Sequence, residues 1–202
     1  MKNTLKSILS ITLLLCMAFL FACAKEPAKQ DEPETGFSEK QLARICELAE
    51  LFSKFGPCDI EEGIQLTKIE RLIPCHWADR LEEAELEGYG KVTVEEADAF
   101  VDSVLKGIKL TDLVRTKYDP TKDQECFVLN GHYYIKLSDK KLSGKVISAE
   151  TLEIVDGDTK PVRAVVDVYE GDVFSTRVTM RLRPDGAESY YILACELGDH
   201  SI

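Results

Sequence analysis

The sequence predicts an α+β domain in which N-terminal helices pack on one face of a C-terminal curved antiparallel sheet. Three observations carry that expectation. Two capping patterns, Ser38-Glu39-Lys40-Gln41 and Thr93 with Glu96, open helices in the first part of the chain. The apolar period changes from helical to two after Asp119-Pro120. An Asn130-Gly131 pair sits between β-rich runs, the strongest short hairpin signal. Helices ahead of an antiparallel sheet give the α+β order.

The elements follow in sequence. Leu42, Ile45, Cys46, Ala49 and Phe52 recur at helical spacing behind the Ser38 cap and stop at Gly56-Pro57, which predicts a helix over 38–55. Asp59 with Glu62 repeats the capping logic. Ile60, Ile64, Ile69, Leu72 and Ile73 then continue a second helix to Pro74. Trp77, Leu81, Ala84 and Leu86 predict a further helical stretch closed by Gly88-Tyr89-Gly90, and Ala97, Phe100, Val101, Val104 and Leu105 form the stripe of a helix that ends at Gly107. The helical half is thus 38–118. A two-residue turn at Asn130-Gly131 pairs Val128 with Tyr133 and Cys126 with Ile135 on one apolar face, with Leu137. Phe127, His132 and Tyr134 take the other, expected to be exposed. Strands are predicted at 146–155, 161–169, 173–183 and 188–197, separated by Asp156-Gly157-Asp158, Glu170-Gly171-Asp172 and Pro184-Asp185-Gly186, for a sheet over 124–198. If 183 pairs with 188, Phe174, Val178 and Met180 meet Leu197, Leu193 and Tyr191 on the core face.

The first 37 residues read differently. Lys2 and Lys6 precede an apolar run from Ile8 to Ala22, the layout of a secretory signal. The run is 15 residues, below the ~20 that a spanning helix needs. Ala24 to Phe37 carries two prolines, six charges and one large apolar residue, and reads as a disordered tether of roughly 20 Å reach. The expected organisation is therefore a signal peptide at 1–22, a tether at 23–37 and one domain at 38–202.

Composition narrows the partners. With 25 basic against 36 acidic residues the formal charge is -11, and losing Lys2 and Lys6 makes the mature chain more negative still. Nucleic acid is excluded as a partner, because its binding needs clustered Lys and Arg. A polybasic grip on anionic lipid is excluded too. Of seven cysteines, Cys16 lies in the leader and Cys23 at its end, which leaves Cys46, Cys58, Cys75, Cys126 and Cys195. Their disulfide pairing is left open by the sequence, although an odd number requires at least one free thiol or an intermolecular bond. Cys58 and Cys75 bracket the expected second helix and would lie about 21 Å apart, too far to bridge.

Reaction signatures are weak. Cys75-His76-Trp77 offers a thiol beside an imidazole with nothing to orient the pair. Cys58, Cys75 and His76 match no zinc spacing. No catalytic residue, metal ligand or cofactor is assigned. His76, Trp77, Phe127, His132 and Tyr134 stand as candidates for a pocket or surface site. Arg163, Arg177, Arg181 and Arg183 share the outward parity of the sheet, and are expected to pair with Glu188, Glu196 and Asp167 on a solvated face.

Two family resemblances follow from these residues. Leu20-Phe21-Ala22-Cys23 resembles the lipobox of bacterial lipoproteins, which implies lipid on the Cys23 thiol and cleavage before it. The helices followed by a meander, with Pro184-Asp185-Gly186 and Tyr190-Tyr191-Ile192 at its end, resemble extracytoplasmic cystatin-like domains, including the nuclear-transport-factor-two-like class. The segment Asn130-Gly131-His132-Tyr133-Tyr134-Ile135 and the strands after it are similar to bacterial cell-wall endopeptidase inhibitors. The resemblances imply a lipid-anchored monomer at the cell membrane, facing the extracytoplasmic side, that binds an envelope protein or small ligand without catalysis. The alternatives are an inhibitor or regulator of a cell-wall hydrolase, and an enzyme using a pocket between helices and sheet.

The leader makes a direct prediction. Cys23→Ser should abolish labelling by a palmitate analogue and move the protein out of the membrane fraction or leave it uncleaved. Label kept by the variant would refute the lipoprotein reading.

Overall fold

Ser38 caps the first helix as its residue pattern requires. In the computed structural model, which describes residues 36–60, 63, 66–106, 115–153 and 160–199, the Ser38 hydroxyl accepts from the Gln41 amide and the Gln41 side chain accepts from the Ser38 amide. These residues all lie in one compact unit that begins at Thr35. Helix α1 runs Glu39–Phe55 and buries Ile45, Leu48, Ala49, Leu51, Phe52 and Phe55. Gly56, at φ 105°, ends it in a backbone conformation that side-chain-bearing residues rarely adopt.

The next stretch departs from the helical expectation. Cys58–Asp59 is a short strand, β1, followed by two short helices, α2 at Leu66–Ile69 and α3 at Leu72–Trp77, with Pro74 inside α3. Pro74 is tolerated there because it stands in the first turn, where its missing N–H has no helical acceptor. The turn Gly88-Tyr89-Gly90, expected to close a helix, instead begins strand β2, Tyr89–Thr93. Helix α4, Val94–Val104, opens at Thr93 with a full capping box. Ile64, Gly107 and Asp156-Gly157-Asp158 lie outside the described residues.

Two antiparallel sheets stand where one curved sheet was expected. The smaller is ordered β2-β4-β3, with β3 at Cys126–Leu129 and β4 at His132–Lys136. Its hairpin has the predicted register, Val128 opposite Tyr133 and Cys126 opposite Ile135. Asn130 at φ 50° and Gly131 at φ 78° supply the paired left-handed conformations that such a turn needs. The larger sheet is ordered β1-β8-β7-β6-β5, with β5 at Leu142–Thr151, β6 at Val162–Glu170, β7 at Val173–Pro184 and β8 at Tyr190–Gly198. The chain is therefore α+β, but strands β1 and β2 interrupt the helical half.

The register at β7–β8 also differs. Met180 faces Cys195 and Val178 faces Leu197, then Leu193 is left over as a bulge before Leu182 meets Ile192. The turn is longer than expected, spanning 185–189 between Pro184 and Tyr190. Of the five residues expected together in the core, Val178 and Met180 are fully buried and Leu193, at the bulge, is buried at 7 % exposure. Phe174 and Tyr191 fall on the opposite face, and Tyr190, Ile192 and Cys195 take the core positions. A bulge reverses the alternation of every residue beyond it, so period-two counting loses the face at that point.

α1 lies on the core face of the larger sheet, against Val162, Ala164, Val166, Val168, Val178, Met180 and Leu182. α3 and α4 join this core to Val92, Tyr133 and Ile135 of the smaller sheet. None of the helices among the described residues is long and apolar enough to cross a membrane.

Two positions test this packing. A Cβ on Gly90 would stand 2.5 Å from the Leu81 Cβ, and Met180 has no solvent exposure. Gly90→Ala should lower stability by about 1–3 kcal/mol through overpacking and Met180→Ala by about 2–5 kcal/mol through the cavity left. Val173, 71 % exposed, should tolerate alanine within about 0.5 kcal/mol. Urea denaturation midpoints of the full chain measure all three.

Candidate functional site

An open groove of about 810 Å³ lies between the α2–α3 segment and the loop that leads into β3. Glu70, Arg71 and Pro74 form one wall, residues 116–120 with Lys122, Gln124 and Glu125 the other, and Cys126 lies among them. The second wall is held by its own hydrogen bonds. Asp119 accepts from the Thr121 amide and hydroxyl, and Gln124 accepts from the Asp119 amide and donates to the Lys117 carbonyl. Thr116 is bound across the groove, its amide and hydroxyl donating to Glu70 at 2.8 and 2.6 Å. Just ahead, Arg115 donates to the buried Tyr133 hydroxyl at 2.8 Å and pairs with Asp98 of α4 at 2.7 Å. The loop is therefore fixed to α4 and β4 at its start and to β3 by the Val128–Thr116 hydrogen bond.

The electrostatics of the groove separate committed from uncommitted charge. The Thr121 hydroxyl and the Lys122 ammonium lower the Asp119 carboxyl to about 2. Burial first, then the Glu70 and Glu125 carboxylates, push the Cys126 thiol far above its ordinary range, so it stays protonated. Burial likewise raises the Tyr133 phenol. Arg71, Lys117 and Glu125 form no ion pair with another described residue. Tyr118 is 42 % exposed beside them. This lining presents charges of both signs and an aromatic face to a ligand, and the Cys126 thiol is a poor nucleophile.

The residues singled out from sequence fall into three places. His76 stacks on Phe100 at 3.9 Å and 18°, and Trp77 meets both rings edge-on, a half-buried trio between α3 and α4. Phe127 and Tyr134, expected to be exposed, are 1 % and 6 % exposed. Tyr118 and Tyr89 close over Phe127 with ring centroids at 4.7 and 5.3 Å, and Tyr134 stacks on it at 5.5 Å. Phe127, His132 and Tyr134 do share one face, but the loop leading into β3, through Tyr118, and the neighbouring strand β2, through Tyr89, cover it. The Tyr134 hydroxyl donates to Glu85, whose carboxyl is lowered to about 2 by Lys91 first and Tyr134 second. His132 stands apart at the hairpin, half-exposed, with Nδ1 3.1 Å from the Asn130 carbonyl. Cys23 lies outside the described residues. Cys58 and Cys75, expected at the ends of one helix, sit on β1 and in α3. Among the described residues no three His, Cys, Asp or Glu side chains cluster as metal ligands.

The arginine strip is partly as expected. Arg177 forms a two-pronged pair with Asp167 at 2.6 and 2.9 Å, and Arg163 lies 3.7 Å from Glu150. Asp167, however, is only 2 % exposed, Glu188 pairs with Lys40 instead, and Arg163 stands directly opposite Arg181. The Nε atoms of Arg181 and Arg183 are buried. The face is half-buried rather than solvated, because the long arginine stems lie over the sheet.

His76 gives a pH test. Burial first, then the Arg80 and Arg44 guanidiniums, lower its imidazole to about 4. The unfolded chain takes up this proton as pH falls through about 6.5 and the folded chain does so only near 4, so stability is lost across that window and levels off below it. Half-burial reduces the effect to about 1–2 kcal/mol. Urea midpoints between pH 7 and 4 should fall further for the native chain than for His76→Phe, which keeps the stack on Phe100 without titrating.

Groove residues Arg71, Lys117 and Tyr118 were not among the sequence candidates, since they come from segments some 45 residues apart and form no motif. Compared with known proteins, the chain matches no family model, no curated protein and no solved structure.

Proposed function

We propose that the chain is a membrane-tethered lipoprotein, held by lipid on Cys23 and facing the extracytoplasmic side of a bacterial cell membrane, whose α+β domain is a non-catalytic binding module. The groove carries the binding half of this reading. Its loop wall is prefixed by hydrogen bonds, so little ordering entropy opposes binding there. Arg71 and Lys117 offer cations, Glu125 an anion, and Tyr118 a flat apolar face. A short peptide or peptide-bearing small ligand with both carboxylate and amine groups fits that set. The protonated Cys126 and the lack of any imidazole among the described lining residues favour binding over catalysis. The leader, Leu20-Phe21-Ala22-Cys23, supports the tether. One long helix laid across an antiparallel meander supports a cystatin-like classification of the domain.

The test is calorimetric titration of the full chain with a synthetic cell-wall stem peptide that carries free carboxylates and an amine. Saturable binding is expected, weakened about tenfold by Arg71→Ser or Lys117→Ser through loss of one charge-assisted contact. Tyr118→Ala should weaken it similarly. Binding that none of the three variants alters would place the ligand elsewhere.

A further inference from the structure

We propose that Cys58 and Cys195 are a disulfide-forming pair that fastens the edge strand β1 to β8. The two cysteines are direct cross-strand partners, followed by Asp59 opposite Ala194. The Ile60 amide donates to the Leu193 carbonyl at 2.8 Å, two residues along the same register. That contact places Cys58 and Cys195 in the hydrogen-bonded class of opposite residues, whose Cα atoms lie about 5.5 Å apart. Bridged cysteines span the same separation.

Directly opposite side chains leave the same face of a sheet. Cys195 points into the core at 2 % exposure, and Cys58 is half-buried against the same core. The Cys58 sulfur sits by the Cys195 backbone amide, and the Cys195 sulfur is turned toward the Glu196 carbonyl at 4.0 Å. Side-chain rotation about the Cα–Cβ bonds is therefore what separates the free thiols from the bridge. The remaining described cysteines have no such geometry: Cys46 and Cys75 are on helices, and Cys126 faces Ile135.

The oxidant is a small-molecule or protein disulfide. The Cys58 thiolate attacks one of its sulfurs and releases the other as a thiolate, which forms a mixed disulfide. The Cys195 thiolate then attacks the Cys58 sulfur and releases the second half of the oxidant. Two protons leave the protein thiols and two electrons reduce the oxidant to two thiols. Burial raises both protein thiols, Cys58 to about 12, so closure is expected while the edge is open, during folding, rather than in the closed sheet. An extracytoplasmic location would supply such an oxidant, but the chemistry is testable without it.

The full chain is unfolded and refolded in a glutathione redox buffer and, in parallel, in excess reductant. Free thiols are then alkylated and peptides mapped by mass spectrometry. The oxidised sample should contain a Cys58–Cys195 linked peptide and melt about 10 °C higher than the reduced one, as closing a long loop predicts. Cys58→Ser should show neither the link nor the shift. Alkylatable Cys58 and Cys195 at every glutathione ratio, bridges among Cys46, Cys75 and Cys126 instead, or a stable glutathione adduct on Cys58 would each overturn the proposal. The peptide map of the native chain decides the matter even if the serine variant fails to fold. Failure here leaves the lipoprotein reading standing, because Cys23 labelling tests that separately.

Discussion

The close seating of α1 on the five-stranded sheet is the constraint from which the rest of the architecture follows. At the sheet edge the helix comes so near β5 that a Cβ on Gly144 would stand 3.1 Å from the Cys46 Cβ and 3.2 Å from the Cys46 Cα. Glu50 accepts from the Gly144 amide at 2.8 Å, so the helix also satisfies a strand donor at the point of approach. Across the rest of the sheet the contact is apolar, with Ile45, Leu48 and Phe52 fully or almost fully buried. At the other end, the Gln41 side chain donates to the Ala187 carbonyl and Lys40 pairs with Glu188, so the helix start is tied to the β7–β8 turn. Most of the stability of helix α1 comes from packing its apolar face on the sheet, and the helix in turn covers residues that an open sheet would expose.

How far this was legible in the sequence depends on how local each determinant is. The caps at Ser38 and Thr93 and the turn at Asn130-Gly131 act over two to four residues, and each appears in the structure where its pattern stands. Cys58-Asp59 reads as a helix start because the Asp side chain and Glu62 mimic a cap; pairing with β8, more than 130 residues away, decides otherwise. Tyr89–Thr93 is a strand for the same reason, since its partner is β4. Bulges at Ile147, Ser175 and Leu193 each shift a face by one residue, and none has a local signature strong enough to place it beforehand.

The groove was still less legible, for a related reason. Its loop wall is positioned by Arg115, whose partners Tyr133 and Asp98 belong to β4 and α4, and by Thr116, which reaches Glu70. No spacing rule connects those positions. What could have hinted at the loop is Asp119-Pro120-Thr121 with Gln124, an Asx-type turn in which the side chains hold their own backbone. That signal gives a rigid loop without saying what it faces.

The outer face of the larger sheet shows how a polar feature can set an apolar one. Asp167 is nearly inaccessible and lies directly across from Arg177, next to the point where the β6–β7 register shifts between Val168 and Tyr169. Moving the bulge to the other side of this pair would put Asp167 opposite a residue other than Arg177 and strip the carboxylate of this guanidinium, at a cost of several kcal/mol for a buried charge. The pair therefore fixes where the extra residue Ser175 is accommodated, and with it which side of β7 carries Val178, Met180 and Leu182 to α1. A hydrophobic strand in place of the pair could pack as stably, but nothing in it would distinguish one register from the next.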